Sequence, residues 1–334
     1  MPTNSERDAN PAAKRVAVMG AGAVGSYFGG MLARAGVPVT MIGRPAYVEA
    51  VRREGLFLDT VSFQERVAVE VSTEPSAVRG ADVVLFCVKA QGNEETARAI
   101  APHLSSGAIV VSLQNGVDNV QRIRAGSGID ALPAVVYVAA AMPAPGHVKH
   151  SARGELVVGE FAERTGRAEL QPPRTEQIAA LFASANVPCR ISDDIDAALW
   201  LKFTANCGGN AVTAIAQCSY RAAARCDASR ELMIKAVEET IAVARAAGVR
   251  PPGPNFMEKW LKSLDSFGDA TSSTAQDLAR GKRTEIESLN GYVVRRGAEL
   301  GVATPSNFAL YAMVKLLEDK AANEQQARPA GGAP

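Results

Sequence analysis

A chain of 334 residues is too long for one typical hydrophobic core and divides most readily into two domains of ordinary size. With 36 Lys plus Arg against 35 Asp plus Glu, it has no overall field to hold nucleic acid or an acidic membrane, so an anionic ligand must be met by local groups. The opening MPTNSERDANPAA has no apolar signal core, the chain has no run of about 18 apolar residues, and its five cysteines and three histidines make neither a CxxC pair nor a ligand set. Secretion, membrane spanning, a metal site and a disulfide framework are therefore all disfavoured, and a cytoplasmic protein is expected.

After a polar head, 1–13, expected to be disordered, KRVAVMGAGAVGSYFGGMLARAGVPVTMIGR runs strand, glycine turn, helix, strand. Short apolar runs follow at ADVVLFCVK and GAIVVSLQN with helical stretches between them, the pattern of a parallel sheet covered on both faces. From ALPAVVYVAAAMPAPGHVKHSARGELVVGE the Gly- and Pro-punctuated runs predict a hairpin extension of that sheet, and TEQIAALFASANVPCRIS adds a helix and a strand. Beyond Ser192 strand signals stop and long helical patterns take over. The expected fold is α/β: a Rossmann-type dinucleotide-binding domain over 14–192, then an all-helical domain over 193–320. The remainder, 321–334, is expected to be a disordered tail.

Gly20, Ala21, Gly22, Ala23, Val24 and Gly25 spell GxGxxG between a strand and a helix. In that context the first glycine permits a tight turn, the second lets a pyrophosphate approach the backbone, and the third allows helix and strand to pack closely. About 20 residues on, where an acid would bond the ribose of NAD, the chain has Gly43 and Arg44. A guanidinium suits a 2′-phosphate, so NADP(H) is favoured over NAD(H); the alternative for Arg44 is a solvated surface charge. Lys89 and Asn115 follow the strand-like runs VVLFCV and IVVSLQ, where a parallel sheet exposes ligand-binding groups, although each also suits a turn.

Lys202, Asn206 and Asn210 fall at i, i+4 and i+8 of WLKFTANCGGN and share one face of a helix. Leu199, Trp200, Phe203, Cys207 and Ala211 lie opposite as a buried side, while Gly208 and Gly209 each cost roughly 1 kcal/mol in a helix interior. A lysine inside a domain needs a counter-charge, and Glu285, in a Thr284-Glu285 pair expected to open a helix, is a candidate. Capping or interhelical bonding is the alternative role for the two asparagines.

Taken with VK at 88–89, QNGV at 114–117, KFTANCGGNAVTA at 202–214 and SSTAQDLARGKRTEIESLNGYVVRRG at 272–297, the glycine segment gives the chain a resemblance to the ketopantoate reductase (2-dehydropantoate 2-reductase) family over roughly residues 15–318. The resemblance implies an active site in the cleft between a Rossmann domain and a helical one. It implies Lys202 as proton donor, with Asn206, Asn210 and Ser273 on substrate and Asn115 and Glu285 at the junction of substrate and cofactor. Gly20 to Gly25, Lys89 and the backbone near Met142 would contact NADPH.

The chemistry agrees, since reducing a 2-oxo acid builds negative charge on oxygen that a nearby ammonium can stabilise and protonate. AQCSYRAAARCDA at 216–228 lacks the Gly-containing turn that often follows in such sequences, which leaves the identity of the small 2-oxo acid more open than the reaction. A reductase of another 2-oxo acid and a non-catalytic NADP(H) sensor are the other readings, with a homodimer left open as the assembly.

Overall fold

The computed structural model describes residues 14–161 and 173–327; the expected head, and 328–334 of the expected tail, lie outside them. The chain divides into two compact units. One comprises the described residues up to Gln114 and Asn119–Ile195, and the other Asn115–Asp118 with the chain from Asp196 onward. The break falls within a few residues of the expected boundary at 192/193, but four residues from the first half of the sequence cluster with the second unit.

The first unit is built on a sheet whose strands, among the described residues, are β1 (Val16–Met19), β2 (Val39–Ile42), β3 (Leu56–Asp59), β4 (Gln64–Val67), β5 (Glu70–Ser72), β6 (Val83–Phe86), β7 (Ile109–Ser112), β8 (Leu132–Ala144), β9 (His147–Val158) and β10 (Cys189–Ile191). The order is β4-β3-β9-β8-β7-β6-β1-β2-β5, with β10 on β9. From β5 to β8 every pairing is parallel, the doubly wound arrangement in which ligands sit at the carboxyl ends where strand order reverses. The expected hairpin is β8–β9, whose antiparallel ladder contains register shifts, and β9 carries the sheet on to β3 and β4. Strands β3, β4 and β5 were not anticipated: β4 and β5 are mostly polar with little burial, and β3 carries only three apolar residues before Asp59.

Alternation along the parallel strands feeds two cores. Val16, Val18, Val83, Leu85 and Val111 join one cluster, and Ala17, Val84, Phe86 and Val110 the other. Helices α1 (Ala23–Arg34), α2 (Pro45–Glu54), α3 (Asn93–Ile100), α4 (Asn119–Ser127) and α5 (Arg174–Ser184) complete the unit.

The second unit comprises α6 (Ile195–Ala216), most of which lies in it, α7 (Tyr220–Arg225), α8 (Asp227–Ala246), α9 (Phe256–Ser266), α10 (Ser273–Ala279), α11 (Asn290–Leu300) and α12 (Pro305–Ala327). Its core gathers Ala211, Met233, Val237, Trp260, Leu264, Ile286, Leu310 and Val314. The two mid-helix glycines of α6 have a steric reason. A Cβ on Gly208 would stand 2.4 Å from Val237 Cγ2 and 2.7 Å from Trp260, and one on Gly209 would stand 3.0 Å from the Tyr220 ring. Close helix packing thus offsets the propensity cost. Helix α12 continues past residue 320, where a disordered tail was expected; Val314 and Glu318 are buried on its inner face before that point. Among the described residues no helix is long and apolar enough to cross a membrane.

Candidate active site

The glycine turn folds as its spacing requires. Gly20 has φ +104°, and any Cβ there would lie 2.7 Å from Val88 N. A Cβ on Gly25 would lie 2.4 Å from Gly20 O and 2.8 Å from Val18 Cγ1, so only glycine lets α1 start this close to β1. Gly22, the cap residue of α1, faces open space, with nothing within 4 Å of where its Cβ would be. The first-turn amides of a helix lack intrahelical acceptors, so those of Ala23, Val24 and Gly25 form a ready anion site beside that space. The pattern fits a pyrophosphate: tight where the backbone must turn and pack, open where a ligand must approach.

The amides of Gly20 and Ala21 both donate to Ile42 O, at 3.1 and 2.9 Å, which staples the turn to the end of β2. Gly43 therefore lies beside Ala21, and Arg44 follows as the exposed cap residue of α2. Among the described residues no carboxylate holds its guanidinium. Lys89 is exposed just past β6, at the start of a single 3-10 turn, Ala90–Gly92. Met142 lies near the end of β8, well beyond the Leu132 and Pro133 positions that pair with β7, and packs partly buried against the first core.

In the helical unit the sequence-predicted groups converge. Lys202 Nζ donates to Asn115 Oδ1 at 2.8 Å, and Asn115 Nδ2 donates to Glu285 Oε2 at 3.2 Å. An amide thus stands between the ammonium and the carboxylate that the sequence had paired directly. All three side chains are half-buried, where charge-assisted hydrogen bonds are stronger than in open water.

Glu285 does not open a helix as expected. It precedes a 3-10 turn, Ile286–Ser288, and α11 begins only at Asn290. The cause is Thr284, whose N–H and hydroxyl both donate to Glu318 Oε1 at 2.6 Å, while its hydroxyl accepts from Ile286 N at 3.1 Å. Those bonds hold the chain in a local turn.

On α6, Asn206 and Asn210 share the face of Lys202 but differ in surroundings. Asn206 is half-buried, and its side chain makes no hydrogen bond among the described residues. Asn210 is only 4% exposed and its Oδ1 accepts from the Tyr220 hydroxyl at 2.7 Å. Ser273 is exposed in the first turn of α10, while its buried neighbour Ser272 caps that helix by accepting from Ala275 N at 3.0 Å.

Two contributors escaped the sequence reading. Gln114 is buried just before Asn115: its Nε2 donates to Val88 O at 2.6 Å and to Asn93 Oδ1 at 2.5 Å, and its Oε1 accepts from Ser112 at 2.8 Å. The signal was a polar residue directly behind an apolar strand. Tyr220 lay in the segment noted only for its missing glycine.

A parallel nucleotide-binding sheet with an open glycine turn, joined to a helical unit that presents lysine, amide and carboxylate in series, defines a two-domain oxidoreductase of Rossmann type. The sequence pattern of the family described as Ketopantoate reductase PanE/ApbA matches residues 16–163, and its C-terminal counterpart matches 194–318. A 2-dehydropantoate 2-reductase of Halobacterium salinarum is 33% identical over 307 residues, covering 91% of this chain and 99% of its own, and one of Vibrio cholerae is 28% identical over 91% and 97%. The crystal structure of a PanE/ApbA family ketopantoate reductase from Ralstonia eutropha superimposes with a TM-score of 0.85 at 46% identity, covering 92% of this chain and 99% of that one. The chain belongs to the ketopantoate reductase family.

Proposed function

We propose that this protein reduces 2-dehydropantoate to pantoate with NADPH, a step toward pantothenate and coenzyme A. The observation that carries the reading is the hydrogen-bonded series Lys202, Asn115, Glu285. It is supported by relatives named for the same reaction that align with the chain over nearly its whole length. A nicotinamide cofactor, when bound, supplies the hydride; the protein supplies position, charge and a proton. The amides at the start of α1 and the open face of Gly22 would hold its pyrophosphate, and Arg44 would meet a 2′-phosphate, with Lys89 and the backbone near Met142 as further contacts.

Lys202 acts on the carbonyl oxygen. As negative charge grows there, its ammonium stabilises the oxyanion and then protonates it. The bond to Asn115 fixes the direction of Nζ, and Glu285, across the amide, orients Asn115. Asn206, Asn210 and Ser273 offer neutral donors to the carboxylate and hydroxyl of the acid, orienting it without a second fixed charge.

The reading is tested by following NADPH oxidation against a panel of 2-oxo acids that includes 2-dehydropantoate. It requires that 2-dehydropantoate give the highest kcat/KM; a clear preference for another acid would reassign the substrate, and no turnover with any would remove the reductase assignment.

A further inference from the structure

The segment that follows α6 contains a tyrosine that bears directly on one of the expected substrate contacts. The Tyr220 hydroxyl donates to Asn210 Oδ1 at 2.7 Å, and its ring packs on Gly209, where a Cβ would be only 3.0 Å away, and on Phe267 with centroids 5.3 Å apart. Burial pushes the Tyr220 pKa well up, against a smaller opposing pull from the Ser272 hydroxyl, so the phenol is protonated and must donate.

Ser272 is engaged elsewhere. Its oxygen accepts from Ala275 N at 3.0 Å, and it forms a triangle with the Thr213 hydroxyl, 2.8 Å away, and Asn210 O, which lies 3.1 Å from Ser272 Oγ and 2.9 Å from Thr213 Oγ1. The Tyr220 proton goes to Asn210 Oδ1. An asparagine amide can present either end to a partner, and this arrangement selects one: oxygen toward Tyr220, NH2 away from it. That NH2 makes no hydrogen bond among the described residues.

We propose that Tyr220 is a positioning residue for substrate recognition, which locks the Asn210 amide with its NH2 as a donor and so favours an anionic or hydroxyl oxygen of the 2-oxo acid at that point. The inference rests on the reading of Asn210 as a substrate contact. It also gives the 216–228 segment a role: the stretch without the usual glycine supplies the phenol that sets the polarity of the neighbouring asparagine.

The experiment is steady-state kinetics on the full-length wild type, Y220F, N210A, N210D and the double variant Y220F/N210A, with NADPH binding and thermal melts measured on each. Y220F should raise KM for the best 2-oxo acid about five- to tenfold with kcat within about twofold and NADPH affinity unchanged, as expected for loss of an oriented hydrogen bond in the bound state. N210D retains an acceptor for Tyr220 but has no donor, so it should raise KM at least as far as Y220F does, which also covers the case of a Y220F protein that does not fold. In the N210A background Y220F should add less than about a twofold change, because a residue acting through Asn210 has nothing left to position.

A KM unchanged in N210A would remove Asn210 from the substrate site and this inference with it. A raised KM in N210A with an unchanged KM in Y220F, or full additivity in the double variant, would overturn the role of Tyr220 while leaving Asn210 in place.

Discussion

Lys202 Nζ and Asn115 Oδ1 lie 2.8 Å apart although 87 positions separate them in the chain. A lysine held by an amide, with a carboxylate on the amide's other end, has its direction fixed by that bond. Lys202→Ala should therefore leave dinucleotide binding near normal while lowering kcat by ~10² to 10⁴. Asn115→Ala should lower it less, and the double variant should lose less free energy than the two singles summed, because they act as a unit. Stopped-flow single-turnover rates with cofactor titrations provide the comparison, and near wild-type kcat in Lys202→Ala would sink the proton-donor role.

Arg44 is exposed at the start of α2, next to the glycine turn that the Gly20 and Ala21 amides staple to β2. Replacing it with Glu should weaken NADPH by roughly tenfold or more, at least ~1.5 to 3 kcal/mol for a lost charge-assisted phosphate contact, and change NADH far less. Fluorescence titrations of both cofactors measure this directly; equal losses would place Arg44 away from the 2′-phosphate.

Gly208 packs where a methyl group has no room, 2.4 Å from Val237 Cγ2. Alanine is the better helix former by about 1 kcal/mol, yet Gly208→Ala should destabilise the protein by about 1 to 3 kcal/mol because the overpacked side chains must move. Urea unfolding reports the sign, and a stabilised Gly208→Ala would contradict the packing described for α6.

Gln217 ends α6 with φ +46°, a left-handed conformation that costs a non-glycine residue strain. Its side chain is exposed, so the bond from its Nε2 to Ala214 O at 2.7 Å contributes little to set against that strain. Gln217→Gly should raise stability by about 0.5 to 1 kcal/mol, seen as a higher melting temperature with unchanged kinetics. A lower melting temperature would mean that the Ala214 bond outweighs the strain.

Glu287 is partly buried, which opposes its charge, but bonds from Tyr311 and Lys315 and the nearby Arg295 hold its pKa below the ordinary carboxylate value. A carboxyl depressed in the folded state contributes stability that is complete above its unfolded pKa of about 4.3 and is lost as the pH falls through the lower folded value. Glu287→Gln should therefore melt below the wild type at neutral pH, with the gap closing as the pH drops below about 4. A gap that stays constant across the acid range would show that the charge of Glu287 is not what stabilises this corner.

Much of this was legible in local pattern. The glycine turn and the polar face of α6 are encoded within a few residues, by backbone sterics in one case and helical period in the other. What escaped depended on partners distant in sequence. Glu318 turned the expected start of a helix at Thr284 into a single 3-10 turn, through bonds that span 34 positions. Tyr220 was not singled out in its segment, because its hydroxyl acquires meaning only beside Asn210. Strands β4 and β5 carry too few apolar residues to stand out, and β3 too short an apolar run beside them. Asn115 stands in the hydrogen-bonded series, whereas Gln114 behind it, buried by strands that had to be folded first, was not singled out.

The four residues Asn115–Asp118 belong by sequence to the nucleotide-binding half and by clustering to the helical unit. This makes the two halves poor candidates for modular exchange. A chimera that joined the 194–318 region of one relative to the 16–163 region of another would inherit its lysine and carboxylate from one parent and the amide between them from the other. Recombination at the apparent seam would therefore divide the hydrogen-bonded series itself, so the boundary that looks most natural for grafting is one that selection has reason to keep intact.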